Sequence, residues 1–174
     1  MNARGLTAVV IAVVAADRAT KLMVMHGMER GESIPVIPGL FSLTYVHNPG
    51  AAFGAFANSP LREPLLVFVA VAAVAGLVWL ITKTPASRVW ERCAAAAIIG
   101  GALGNLYDRF AYRSVVDFLD FYVGSWHWPA FNVADSCITV GVGILLLTSF
   151  LTHGDDDAPS TEQEDFREPH RKAA

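Results

Sequence analysis

The chain has 174 residues, of which 53% are hydrophobic, and its formal net charge is −3. A mean hydropathy of +0.41 exceeds what a soluble domain of this length needs, so the composition predicts an integral membrane protein. Much of the acidic charge lies between Asp155 and Glu168, and the sequence has no basic patch for nucleic acid. We therefore expect no nucleic-acid partner, and we predict that residues 154–174 form a disordered cytoplasmic tail.

Four apolar stretches, at residues 6–25, 64–82, 93–111 and 133–152, come near the roughly 20 residues that cross a bilayer. They predict an all-α membrane domain of four transmembrane helices over residues 1–153. Lysine and arginine are concentrated before the first stretch and between the second and third, which predicts that both termini are cytoplasmic. Three of the stretches reach spanning length only by including charged residues, which are Asp17, Arg18, Lys21, Asp108, Arg109 and Asp135.

The N-terminus leaves a second interpretation open. Arg4, the apolar run that follows it and the small residues ending at Ala16 are also typical of a cleavable signal peptide. Cleavage there would leave three spans, with Asp17 as the new N-terminus. Because the pattern of intramembrane charge continues beyond Ala16, we favour four spans, and an intact-mass measurement distinguishes the two cases.

The segment after the first span has a different pattern. Residues 40–46 alternate apolar and polar side chains, as a half-buried strand does, between Gly39 and the turn signal Asn48-Pro49-Gly50. We predict a small extracytoplasmic β-sheet at residues 34–56 that lies on the membrane surface and suits an extended peptide. An ordinary surface hairpin is the alternative. We expect the connection between the third and fourth spans, which carries Asp117, to be an outer loop.

With this topology the charges inside the spans converge on the outer face of the membrane. Helical spacing places Asp17 on one helix face with Lys21, and it does the same for Asn132 and Asp135. Buried polar groups of this kind often serve only to hold helices together, which is the alternative to a chemical role. Neither Asp117 nor Asp135 has a basic residue close in sequence. The third span contributes Asn105, Asp108 and Arg109 to the same end of the bundle.

A pair of aspartates that meet is suited to acid–base chemistry. Two carboxylates in close contact do not readily both ionise, so such a pair holds one proton near neutral pH. The ionised member can take a proton from a water that attacks a carbonyl, while the protonated member polarises that carbonyl. The sequence has no His-Glu-x-x-His zinc motif and no Gly-x-Ser-Gly nucleophile motif. We therefore expect an aspartic mechanism without a metal or other cofactor.

Five motifs follow one another along the chain: Asp17-x-x-Thr20-Lys21, Asn48-x-Gly50-x-Ala52-Phe53-Gly54, Gly104-Asn105-x-x-Asp108-Arg109, Val116-Asp117-Phe118 with Asp120, and Phe131-Asn132-x-Ala134-Asp135. Together they closely resemble the motifs of lipoprotein signal peptidase, the bacterial signal peptidase II family. The resemblance covers residues 17–141, which is nearly the whole membrane domain. The tail after His153 lies outside it.

The resemblance implies an aspartic endopeptidase of the bacterial inner membrane, with its active site near the outer face. As partners we expect membrane lipid and the substrate, with the protein itself a monomer. Such enzymes cleave the signal peptide from a prolipoprotein just before a cysteine that carries a diacylglyceryl group. Asp117 and Asp135 match the catalytic dyad of the family. Residues that match positions shaping the site are Asn48, Gly50, Asn105, Asp108, Arg109 and Asn132, with Asp17 and Lys21 further out.

Two other functions remain possible from the residues alone. Buried Asp, Lys and Arg are also the components of a proton relay, so a proton- or ion-coupled transporter is the main alternative. Against it, the charges gather at one face without a path to the other, and no repeat or broken-helix pair is visible. A membrane scaffold, in which the charges only hold the helices together, is the second alternative.

Overall fold

The structure, a computed structural model, describes residues 1–50 and 61–156. The described residues form four helices, α1 (Ala3–Gly27), α2 (Arg62–Lys83), α3 (Val89–Tyr112) and α4 (Val133–Asp156). They also form four strands, β1 (Ser33–Ile37), β2 (Phe41–Asn48), β3 (Val115–Val123) and β4 (Trp126–His127). Residues 51–56 of the predicted outer segment, which include Ala52, Phe53 and Gly54, and the tail after residue 156 lie outside the described residues.

Each helix coincides with one of the four apolar stretches and extends a few residues beyond it. α1 begins where the Asn2 side chain accepts the Gly5 N–H at 2.9 Å, and α3 ends at Arg113, whose φ of 57° is left-handed. Within the described residues, two segments are long and apolar enough to cross a membrane: α2, with hydropathy 2.7, and Val133–Leu151 of α4, with hydropathy 1.8. The mostly helical fold is confirmed, and the count of four spans stays a prediction.

Helix α3 lies at the centre of the bundle, because it contacts α1, α2 and α4. Its small residues allow this close approach. A Cβ atom added at Gly101 would lie 2.5 Å from the Ala134 carbonyl oxygen of α4, and one added at Gly104 would lie 2.5 Å from Asp17 Oδ2 of α1. Gly101 and Gly104 therefore set the distance from α3 to α4 and to α1.

We expect Gly101→Ala to destabilise the fold by about 1–3 kcal/mol, since the new methyl group would meet backbone that has to shift. Gly76→Ala in α2 is the matched control, because no heavy atom lies within 4 Å of its added Cβ. There, the substitution should stabilise the protein by about 0.5–1 kcal/mol. Thermal unfolding in detergent measures both, and similar changes for the two variants would contradict this account of α3 packing.

The strands form one antiparallel sheet in the order β1-β2-β3-β4. The predicted strand after the first helix is confirmed as β2. The expectation that Asp117 lies in a loop is wrong, because residues 115–123 form strand β3. Its first four residues are all buried, so the alternation that identifies a half-buried strand is absent there. One face of the sheet packs on α1 through a core of Val24, Tyr45, Val116 and Phe118.

A β-bulge interrupts the pairing of β2 with β3. Leu43 lies opposite Leu119, but Val46 lies opposite Asp117, so β2 uses three steps where β3 uses two. Bulges of this kind redirect the side chains that follow them and are frequent beside active sites. Beyond the bulge, Asn48 shares a sheet face with Asp117 and hydrogen-bonds to it. The bulge thus directs the end of β2 toward Asp117.

Candidate active site

A cavity of about 550 Å³ lies where the sheet meets the bundle. Asp117 reaches it from β3, and Asp135 reaches it from the first turn of α4. Both predicted acids therefore line the same cavity although they come from different elements. Its other polar lining includes Asn48, Gly50, Asn105, Arg109, Ser136 and Thr139, and one apolar wall consists of Trp128, Pro129, Ala130 and Phe131.

Asn132 joins the two carboxylates. Its side-chain Nδ2 donates to Asp117 Oδ1 at 2.7 Å, and its backbone N–H donates to Asp135 Oδ2 at 3.2 Å. In return, Asn132 Oδ1 accepts the Asp135 backbone N–H at 2.9 Å. This reciprocal pair is a capping box at the start of α4. The N-terminal cap of one helix thus places both acids within hydrogen-bond reach of one residue.

The remaining carboxylate oxygens accept hydrogen bonds from two further amides. Asn48 Nδ2 donates to Asp117 Oδ2 at 2.9 Å, and Asn105 Nδ2 donates to Asp135 Oδ1 at 2.7 Å. The Gly50 N–H donates to Asn48 Oδ1 at 3.0 Å, which fixes the orientation of that amide. Every oxygen of the two carboxylates accepts an N–H donor, so both side chains are held in one orientation.

Burial governs the protonation of Asp117, whose exposed fraction is only 3%. Removal from water raises its pKa from 3.8 to about 7, and the negative charge of Asp135 acts in the same direction. The hydrogen bonds from Asn48 and Asn132 oppose this increase because they stabilise the ionised form. A carboxyl group with this pKa keeps its proton to near neutral pH, as an acid–base pair requires.

A buried ionic network lies behind the cavity. Lys21 Nζ is 2.9 Å from Asp17 Oδ2 and 2.8 Å from Asp108 Oδ2, and all three side chains have no exposed surface. Arg18 is 2.5 Å from Asp108 Oδ1, so two cations balance two carboxylates. The helical spacing predicted the pairing of Asp17 with Lys21. The pairing of Lys21 with Asp108 could not be predicted from the sequence, because the two residues lie on different helices.

This network also holds the elements that carry the two acids. Asp17 Oδ1 accepts the Ala134 N–H of α4 at 3.1 Å, and Asp108 Oδ2 accepts the Val116 N–H of β3 at 3.2 Å. Ala134 directly precedes Asp135, and Val116 directly precedes Asp117. Lys21 Nζ further donates to Asn105 Oδ1 at 2.9 Å, so it orients the amide that serves Asp135.

The other predicted site residues divide between the cavity and the network. Arg109 lines the cavity, where its Nη2 donates to the Gly50 carbonyl oxygen at 3.4 Å and its Nη1 lies 3.6 Å from Glu63 Oε2. Asp108 does not line the cavity and belongs to the network. Arg18 also belongs to the network, a role that the sequence analysis did not predict. The only sequence feature that indicated it is the position of Arg18 beside Asp17 in a charged span.

Comparison with known proteins identifies the family of the chain. The family model for signal peptidase (SPase) II matches residues 9–151. The chain is 46% identical over 138 residues to a lipoprotein signal peptidase of Syntrophotalea carbinolica, covering 79% of this chain and 86% of that one. It is 42% identical over 144 residues to that of Photorhabdus laumondii, covering 82% and 86%.

Two solved structures described as bacterial membrane enzymes have the same fold. One superimposes with a TM-score of 0.79 at 29% identity, covering 90% of this chain and 93% of the other. The second gives 0.75 at 28% identity, covering 84% and 93%. The protein is thus a bacterial membrane enzyme of the peptidase class. The chain belongs to the signal peptidase II family.

Proposed function

We propose that the protein is a membrane aspartic endopeptidase that removes the signal peptide from prolipoproteins, cleaving just before the diacylglyceryl-modified cysteine. The observation that carries this proposal is the pair formed by Asp117 and Asp135, joined through Asn132 at one cavity. The names of its relatives supply the substrate class. The transporter alternative has no support among them, and the scaffold alternative does not account for paired acids that line a cavity.

The two carboxylates have different surroundings, which supports different roles. Asp135 lies in the first turn of α4, where the helix dipole stabilises an anion, and its side chain is only partly buried, whereas Asp117 lies on a strand and is 3% exposed. In our proposal Asp117 holds the proton at rest and Asp135 is ionised. Asp135 then accepts a proton from the attacking water while Asp117 donates its proton to the carbonyl oxygen of the scissile bond.

The resulting tetrahedral diol collapses when the bond between carbon and nitrogen breaks. Asp135 gives its proton to the departing amine, and one hydroxyl of the diol returns a proton to Asp117, which restores the starting pair. The hydrogen bonds from Asn48, Asn105 and Asn132 hold both carboxylates during these transfers. Arg109 and Gly50 also line the cavity, and in our proposal they contact the substrate backbone.

We further propose that all four helices cross the inner membrane, with both termini cytoplasmic and the site near the outer face. The helices have 22 to 25 residues, or about 33–37 Å at 1.5 Å per residue, which suits a bilayer. Asp17, Lys21 and Asp108 lie within α1 and α3 but pair with one another, so none of these charges faces lipid. In this arrangement residues 1–153 form the peptidase domain, the sheet lies on the outer surface, and residues 154–174 form a cytoplasmic tail.

Cleavage of a defined substrate tests the function. The purified protein in detergent is incubated with a prolipoprotein that carries the diacylglyceryl group and, in parallel, with the same precursor lacking it. We expect a shorter product only from the lipid-modified precursor, and no effect of a chelator. Failure to cleave the modified precursor would remove the proposal, and inhibition by the chelator would indicate a metal mechanism.

The pH dependence of cleavage tests the proposed role of Asp117. Because its proton is lost as the pH passes about 7, we expect activity to fall on the alkaline side of neutrality. Asn48→Ala removes an N–H donor that stabilises the ionised carboxylate, so the pKa of Asp117 should rise. The alkaline limb of the kcat profile should then move to higher pH even though the maximal rate falls. A limb that stays in place or moves to lower pH would contradict this role.

A further inference from the structure

A hydrogen-bonded chain of three side chains lies on the face of the sheet that is turned away from the cavity. Tyr45 Oη is 2.9 Å from His47 Nε2, and His47 Nδ1 is 2.7 Å from Ser114 Oγ. Tyr45 and Ser114 are buried, with exposed fractions of 8% and 6%. None of the three lines the cavity. Buried polar groups that a mechanism does not use require another explanation.

The directions of these hydrogen bonds follow from the contacts of Ser114, the last of the three residues. Ser114 Oγ donates to the Tyr112 carbonyl oxygen at 3.2 Å, so it has to accept from His47 Nδ1. His47 Nε2 then accepts the Tyr45 hydroxyl proton. Burial and the charge of Arg30 lower the pKa of His47, which favours the neutral ring that this arrangement needs. Each donor of these three side chains has an acceptor, so the hydrogen bonds fix the orientation of the His47 ring.

The hydrogen bonds among Tyr45, His47 and Ser114 connect the segments that place Asn48 against Asp117. Tyr45 lies within the bulge of β2, and Ser114 lies in the connection from α3 to β3. His47 lies opposite Val116 in the strand register and directly precedes Asn48. Through His47, the β2 end that carries Asn48 is therefore bonded to the bulge, where the backbone ladder is interrupted, and to the segment that enters β3.

We propose that His47 is a positioning residue for the peptidase reaction, which holds the Asn48 amide on the Asp117 carboxylate through its hydrogen bonds to Tyr45 and Ser114. This inference rests on the proposed function. His47 acts through Asn48 and does not touch substrate. Loss of the His47 hydrogen bonds would change the orientation of the Asn48 amide, which holds a reacting carboxylate, and would leave the substrate-binding walls of the cavity in place. Its removal should therefore lower kcat and leave KM nearly unchanged.

The test compares variants of His47 with a control in the same sheet. His47→Phe keeps an aromatic ring of similar volume but removes both hydrogen bonds, and we expect kcat to fall about tenfold or more, since small misplacements near reacting groups are costly. His47→Gln, which keeps both a donor group (NH2) and an acceptor (the amide oxygen), should recover part of the rate. Ser114→Ala removes only one of the two hydrogen bonds of the His47 ring, so its kcat should lie between those of the wild type and His47→Phe.

Ser33→Ala is the control variant. It removes the 2.9 Å hydroxyl bond between Ser33 and Thr44, which joins β1 to β2 away from the cavity. Its kcat should equal that of the wild type. Thermal unfolding in detergent establishes that each variant is folded, so that a lower kcat in His47→Phe is not a loss of native protein. A fall of equal size in Ser33→Ala and His47→Phe would overturn the inference.

A double-mutant cycle with Asn48→Ala gives the decisive measurement. If His47 acts through Asn48, then adding His47→Phe to Asn48→Ala should change kcat by less than about twofold, although His47→Phe alone costs about tenfold. Independent, multiplying losses would overturn the inference, and so would an unchanged kcat in His47→Phe. A wild-type protein that fails to cleave the lipid-modified precursor would instead overturn the proposed function.

Discussion

Asp117→Asn and Asp135→Asn should each reduce cleavage of a lipid-modified prolipoprotein by at least about 10³-fold, because each removes one half of an acid–base pair that acts as a unit. An asparagine side chain has nearly the same shape as aspartate, so the volume of the cavity should be kept, although its NH2 group replaces one oxygen that accepts an N–H donor. It cannot accept or release the catalytic proton. The expected loss is therefore in kcat, and binding of the precursor should persist.

Asp120→Asn is the matched control for these variants. Asp120 is another buried aspartate of β3, but it does not line the cavity and contacts His127 at 2.9 Å and Thr44 at 3.4 Å. We expect Asp120→Asn to retain cleavage. Product formation followed on a gel, with thermal unfolding of each variant, measures the effect. Full cleavage by either Asp117→Asn or Asp135→Asn would remove that residue from the proposed dyad.

The helices were predictable because each one coincides with a long apolar stretch of sequence. The pairing of Asp17 with Lys21 was predictable from their helical spacing. Strand β3 was not predictable from alternation, since its buried beginning, residues 115–118, lies against protein on both faces. Strand β1 overlaps the predicted sheet segment at residues 34–56, but it could not be assigned as a separate strand because Pro35 argues against a strand interior. Pro35 is tolerated there because β1 is an exposed edge strand.

The site itself was only half predictable. Two acids near one membrane face indicate a carboxylate pair, but nothing in the sequence shows that Asn132 contacts both. That role depends on the N-terminus of α4 meeting β3, which is a long-range packing event. His47 gave no signal beyond its position beside Asn48, because its partner Ser114 is 67 residues away. Local patterns identify the residue types of a site, whereas tertiary contacts assign their partners.

Lys21→Met should destabilise the protein by about 3–5 kcal/mol, because it leaves a buried carboxylate without its cation. Lys21 Nζ contacts Asp17, Asp108 and Asn105, and its side chain has no exposed surface. Asp108 keeps its ion pair with Arg18 in this variant, whereas Asp17 keeps only the Ala134 N–H. The uncompensated charge therefore falls mainly on Asp17.

Asp17→Asn in the Lys21→Met background removes that charge, so the double variant should be more stable than Lys21→Met alone. Arg88→Met is the contrasting control, since Arg88 pairs with Glu91 at 3.4 Å on an exposed face, and its loss should cost less than about 1 kcal/mol. Thermal unfolding in detergent compares the three. Lys21→Met should also lower kcat, because Asn105 loses one of the two donors that orient its amide toward Asp135. If Lys21→Met proved as mild as Arg88→Met, then packing alone, without the ion pairs, would hold α1 against α3 and α4, and the cavity would not depend on the network behind it.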